Sequence, residues 1–189
     1  KKYLTKENIH GGAPHKVLDK CKNFDFFIVI PCYNEYDYLF KTLDSINKQN
    51  PQLLEKTLVV IVINNSVKSN SNVKHNNEKT FDKLIGLNYS FEFVSIDCFS
   101  TETSFKDELA GVGLARKVGM DFSLKFIKDL NSTICSLDAD TIIDENYLDS
   151  IYNNFKKDKM NAAVVNFKHQ NSSNSIIEEG IRKYESILK

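Results

Sequence analysis

The sequence predicts an α/β protein built on a mostly parallel sheet with helices on both faces. Three observations predict it. Apolar runs of strand length recur at residues 26–31, 58–63, 91–96, 133–137 and 162–167. Runs of that kind suit strands buried on both sides, as in parallel sheets. Between them lie segments whose apolar residues return every three or four positions, the spacing of one helix face. Strands alternating with helices need crossover connections, and crossovers join parallel strands.

The elements follow in order. Residues 1–23 are polar and broken by Gly11, Gly12 and Pro14, so they read as an N-terminal arm, with residues 24–189 as one domain. His10 and His15 flank those glycines, and a solvated loop explains them better than a metal site. Pro31 ends the first strand, and Leu39, Leu43 and Ile46 mark a helix over 36–48. The second strand ends at Asn64, Asn65 and Ser66. Residues 67–78, rich in Asn, Ser and Lys, read as a surface excursion. After the third strand, Leu114, Val118, Phe122 and Phe126 predict a long helix over 110–130. The fourth strand leads straight into Asp138. Leu148, Ile151, Tyr152 and Phe155 form the next stripe, and a fifth strand is expected over 162–167. Ile177, Ile181, Tyr184 and Leu188 predict the last helix, which contains Glu178 and Glu179.

Composition narrows the function. Apolar residues make up 41% and charged residues 26% of the 189, and the formal net charge is zero. There is no Lys/Arg-rich run, which argues against a nucleic-acid partner or an anionic-membrane anchor. No apolar stretch is long enough to span a bilayer. Cys21, Cys32, Cys98 and Cys135 fit no zinc spacing and form no Cys-x-x-Cys pair. They read as buried thiols of a reducing compartment, which predicts a cytoplasmic location, free or peripheral to a membrane. With no initiator Met, no signal peptide and a helical segment at its end, the chain reads as a fragment cut before an acceptor-binding region.

In parallel α/β sheets ligands bind beyond the carboxyl ends of the strands. Asp138 and Asp140 stand there, two residues apart, so an extended chain points both the same way. Two neighbouring anions repel, and a hard divalent cation such as Mg²⁺ or Mn²⁺ relieves them. The alternative is a solvated turn with helix-capping acids. After the first strand, Tyr33 offers a flat face to a nucleobase, and Asn34 and Glu35 offer hydrogen bonds. The alternative is an ordinary strand exit with Asn34 as N-cap. Gly111, Gly113 and Gly119 allow close backbone approach, and Arg116 adds a forked cation near a helix N-terminus. The alternative is a helix start packed on the sheet. The glycine spacing is not that of a dinucleotide fingerprint.

Taken together and in order, Pro31-x-Tyr33-Asn34-Glu35, the polar triplet after strand two, Gly113-x-Ala115-Arg116-x-x-Gly119 and Asp138-x-Asp140 resemble family 2 of the glycosyltransferases, which has the GT-A fold. The resemblance covers roughly residues 25–167. It implies that Pro31, Tyr33 and Glu35 line a nucleotide pocket, with Asn34, Asn64 and Asn65 beside them. Arg116 would lie near the nucleotide and its phosphates. Asp138 would reach the ribose or the metal shell, and Asp140 would bind Mn²⁺ or Mg²⁺ directly. The implied activity is metal-assisted transfer of a sugar from a nucleotide-diphosphate sugar to a hydroxyl of a saccharide, lipid or protein. Two departures qualify this. Family members commonly carry Asp-Asp-x-Ser where Asn64-Asn65-Ser66 stands, so the base preference is open. No catalytic carboxylate follows at the family's position: Glu178 and Glu179 come too early, His169 reads as a strand-exit residue, and the base is expected beyond Lys189. The other readings are a non-catalytic sugar-nucleotide or protein-binding module and a nucleotidyltransferase. The latter would want a glycine-rich loop after the first strand.

Overall fold

The computed structural model describes residues 12–19, 22–128, 131–157 and 160–188. The expectations for His10, Gly11 and Cys21 fall outside them. Two compact units are formed, Lys1–Asp158 and Lys159–Lys189.

The first unit contains the sheet. Strands β1 (Phe26–Cys32), β2 (Thr57–Asn64), β3 (Glu92–Cys98) and β4 (Thr133–Ser136) are all parallel, in the order β3-β2-β1-β4. The register sets Ile30 beside Ile61 and Val60 beside Val94. Both sheet faces are covered, which is why β1 and β2 are apolar at nearly every position. On one face Phe26, Ile28, Ile30, Val59, Ile61 and Ile63 pack with Leu39, Leu43 and Ile46 of α1 (Tyr36–Asn47). The short α2 (Pro51–Leu54), α3 (Ser71–Ile85) and α5 (Tyr147–Tyr152) complete that side through Leu54, Leu84 and Leu148. On the other face Phe27, Val29, Leu58, Val60 and Val62 meet Ala115, Val118 and Phe122 of α4 (Val112–Ser123). Each such side chain contributes roughly 1.5–3 kcal/mol on burial. The α/β class and the helix-on-both-faces arrangement are therefore as expected.

Gly119 explains how α4 lies so close. A Cβ there would overlap Val29 Cγ1 and come within 3.1 Å of Val62 Cγ2. Gly111 and Gly113, by contrast, face open space.

Four expectations need correction. Residues 67–78 are not an excursion, because α3 begins at Ser71, capped by the Asn70 side chain accepting from the Val73 amide at 3.0 Å. Its inward face includes Asn77 and Thr80, both fully buried, so an apolar stripe was missing from a packed helix. The helix expected over 110–130 stops at Ser123. Phe126 is nonetheless buried, its ring 5.3 Å from Phe122 and 6.4 Å from Phe24. Its periodicity reported burial, which a turn delivers as well as a helix. The stripe through Phe155 is a six-residue helix followed by a π-helical turn, Asn153–Lys157. Residues 162–167 form no strand, and Val164 is 95% exposed. An apolar run becomes a strand only where another strand offers a hydrogen-bonding ladder, and none does among the described residues.

The arm is partly docked. Gly12 and His15 donate backbone hydrogen bonds to Asp97 and Ser95 of β3, and Pro14 bridges Ile96 in antiparallel sense. His15 stacks on Phe93 and accepts from the Ser95 amide through Nδ1 at 2.8 Å. It is a half-buried packing residue rather than a solvated one.

The second unit carries α6 (Ser175–Leu188). Asn174 caps it through Ile176 N–H. Arg182 ties Glu178 to Glu185, and Glu185 also accepts from the His169 amide. That amide, with Arg182, holds the Glu185 carboxyl down to about 2. Among the described residues no helix is long and apolar enough to cross a membrane.

Candidate functional site

The carboxyl ends of β1, β2 and β4 open, with the start of α4, onto one cleft of about 610 Å³. That volume suits a small organic ligand.

At the end of β1 the chain turns through Asn34, whose φ of 62° lies in the left-handed region that Asn tolerates. The turn leaves Tyr33 half-exposed on the cleft wall and Glu35 beside it. Glu35, not Asn34, is the N-cap of α1, and its side chain makes no capping bond. Burial raises the Glu35 carboxyl above its ordinary range, and the Asp140 and Asp138 carboxylates raise it further. The cleft is thus an anionic field.

At the end of β2 the two asparagines part. Asn64 lines the cleft, is only 4% exposed, and its Oδ1 meets no donor. A buried acceptor left unpaired costs about 1–3 kcal/mol, so an arriving donor is welcome there. Asn65 is fully buried and spent on structure. Its Nδ2 donates to the Ser66 and Phe99 carbonyls, and its Oδ1 accepts from Asn77 Nδ2 at 3.0 Å. Asn77 also donates to the Asn64 carbonyl and accepts from the Asn34 amide, each at 3.0 Å. One buried amide therefore fixes two strand exits.

At the end of β4, Leu137 N–H donates to the Val29 carbonyl at 3.0 Å and keeps the chain on the sheet. The next residues turn, with Thr141 N–H on the Asp138 carbonyl. Ala139 is 3% exposed, and its carbonyl accepts from Thr42 Oγ1 of α1 at 2.7 Å. Asp138 and Asp140 flank this anchored alanine and both line the cleft. Ser45 Oγ accepts from Ile143 N–H, while Gln49 accepts from Leu148 N–H and donates to the Asp144 carbonyl. Thr42 and Ser45, with Gln49 just past the helix end, pin the aspartate loop to α1. Sequence reasoning missed them, although Thr42 and Ser45 interrupt an otherwise apolar helix face, which is the signal that finds such residues.

Helix α4 begins at Val112, preceded by Gly111 at the N-cap position without a side-chain cap, and Gly111 and Val112 line the cleft. Its first-turn N–H groups and positive dipole end favour an anion. Arg116 Nη2 donates to Asp138 Oδ1 at 2.5 Å. Its Nε is buried and has no partner.

The structure thus brings together Pro31, Tyr33, Glu35, Asn64, Arg116, Asp138 and Asp140, and adds Ser66 and Ser69. Asn34 and Asn65 do not line the cleft: one shapes the turn and the other is an internal strut. Among the described residues no three His, Cys, Asp or Glu side chains make a complete cation cage. Two carboxylates still fit Mg²⁺ or Mn²⁺, because such ions commonly take one or two carboxylates and fill the rest with water and phosphate oxygens. In a second hollow, about 720 Å³ beside β3, Lys16 and Lys22 both bind Glu92.

Residues 27–90 match the model of glycosyl transferase family 2. Pro31, Tyr33, Glu35 and Asn64 lie within that segment, and Arg116, Asp138 and Asp140 lie after it. No curated protein sequence matches the chain. Among solved structures, S. aureus TarS 1-349 is 18% identical with a TM-score of 0.44, the match covering 77% of this chain and 39% of that one. The same protein in complex with UDP-GlcNAc gives 16% identity and a TM-score of 0.43, over 77% of this chain and 38% of that one. This chain therefore spans well under half of the TarS chain.

Proposed function

We propose that this chain, whose residues 27–90 are family 2 glycosyltransferase sequence, is the donor-binding part of an enzyme that transfers a sugar from a nucleotide-diphosphate sugar to an acceptor hydroxyl. One observation supports this most strongly: a base-sized aromatic face, an unpaired buried acceptor, a forked cation and two carboxylates meet at the ends of three parallel strands.

The assignment of roles follows from charge and shape. Tyr33 stacks the base, with Val112 also on the wall. Asn64 Oδ1 accepts an N–H from the base edge. Arg116 and the first turn of α4 take the diphosphate. Asp140 and Asp138 hold a divalent cation, which would neutralise the negative charge that builds on a departing diphosphate. Thr42, Ser45 and Gln49 keep the aspartate loop in place.

Thermal shift with UDP, GDP and their sugars, with and without Mn²⁺, tests the reading. The expected result is stabilisation by at least one nucleotide diphosphate that needs the metal and disappears in Asp140→Asn. If no nucleotide shifts the melting temperature, the donor-site reading is wrong. Slow release of free sugar from the donor would separate an enzyme from a binding module.

A further inference from the structure

We infer that Arg116 competes with a divalent cation for Asp138, so that cation and diphosphate enter this cleft interdependently. The inference rests on the nucleotide-diphosphate reading of the same cleft.

Two features of Arg116 carry it. Its Nη2 donates a short, charge-assisted bond to Asp138 Oδ1, while Nε of the same guanidinium is buried with no acceptor. Asp138 therefore satisfies only part of the fork. The side chains of Arg116 and Asp138 are 35% and 56% exposed. An ion pair that wet is weak and exchangeable. A fully buried pair would be too costly to break.

The surroundings say what the exchange partners are. A phosphate group can engage a guanidinium through two parallel N–H bonds, which a single carboxylate oxygen does not supply. The uncapped start of α4 lies on the same cleft, and open space stands before Gly111 and Gly113. A diphosphate there draws Arg116 toward itself and gives Nε an acceptor. Asp138, released, joins Asp140 as a hard oxygen ligand. Replacing one positive charge by two also answers the three carboxylates of Glu35, Asp138 and Asp140 better. By linkage, whatever the diphosphate does for the cation, the cation does equally for the diphosphate.

The test is a double-mutant cycle on manganese binding without nucleotide, followed by electron paramagnetic resonance of free Mn²⁺. Its members are the parent chain, Arg116→Gln, Asp138→Asn and the double variant, with circular dichroism checking the fold. Arg116→Gln is expected to bind Mn²⁺ roughly 5- to 10-fold tighter than the parent, within the usual range of couplings between sites. That gain should vanish in the Asp138→Asn background, because the carboxylate charge that both cations contest is gone. An equal gain in both backgrounds would show a long-range charge effect and overturn the competition. So would no gain, or no manganese binding by any of the four. A separate titration of the parent with UDP or GDP plus Mn²⁺ guards the premise. If neither binds, the donor-site reading fails, while the cycle still reports on the competition.

Discussion

At the scale of single residues, polar atoms without partners mark function and polar atoms with many partners mark structure. Asn64 and Asn65 are neighbours of one type, yet only Asn64 Oδ1 is unpaired. Replacing Asn64 by Leu should leave stability unchanged or raise it by up to about 1 kcal/mol, since an unsatisfied buried acceptor is removed. The same change should abolish the nucleotide-dependent thermal shift. Melting curves with and without ligand read both effects. Asp97 is the opposite case. Burial pushes its carboxyl up, but the Ser100 hydroxyl, the Ser100 and Phe99 amides and the Thr103 hydroxyl outweigh it and bring the carboxyl below its ordinary 3.8. A carboxyl lowered in the folded state adds stability above the unfolded value and loses it as pH falls through the folded one. Asp97→Asn should therefore cost about 1–2 kcal/mol at neutral pH and flatten the fall in stability below about pH 4. Urea unfolding at several pH values measures it, and an unchanged acid limb would refute the assignment.

At the scale of elements, α4 and α1 position the cleft from opposite faces of the sheet. Helix α4 reaches it because Gly119 lets its backbone settle onto Val29 and Val62. Gly119→Ala should destabilise the chain by about 1–3 kcal/mol through overpacking, despite the better helix propensity of alanine. Urea denaturation checks the sign. A gain in stability would mean that α4 can lift without loss. Helix α1 holds the aspartate loop through Thr42 and Ser45, and Gln49, just past its end, adds to the hold. Helix α3 escaped sequence reading because its buried face uses Asn77, whose partners Asn34, Asn64 and Asn65 lie elsewhere along the chain, and Thr80, which bonds back to the Asn76 carbonyl. Local polarity cannot distinguish such a helix from a solvated loop.

At the scale of the molecule, every residue lining the cleft lies between Pro31 and Asp140, inside the first unit. Both apolar clusters are complete within that unit as well. A chain ending at Asp158 should therefore fold and keep its metal-dependent nucleotide shift, with affinity within about 2-fold of the longer form. Calorimetric titration of the two forms decides this. Loss of binding would assign residues of the second unit a part in the donor site.

The sequence alone determined the α/β class, the order of the four strands with helices α1 and α4 among them, and the strand exits near Pro31, Asn64 and Asp138. Those depend on burial periodicity and on proline and glycine chemistry, which act over a few residues and are written locally. Only the tertiary structure decided that Asn64 faces the cleft while Asn65 braces it, that Arg116 grips Asp138, that α3 is a helix, and that residues 162–167 are not a strand. Each of those outcomes turns on which distant group supplies a hydrogen bond or a charge, and chain folding, not local pattern, brings those groups within reach.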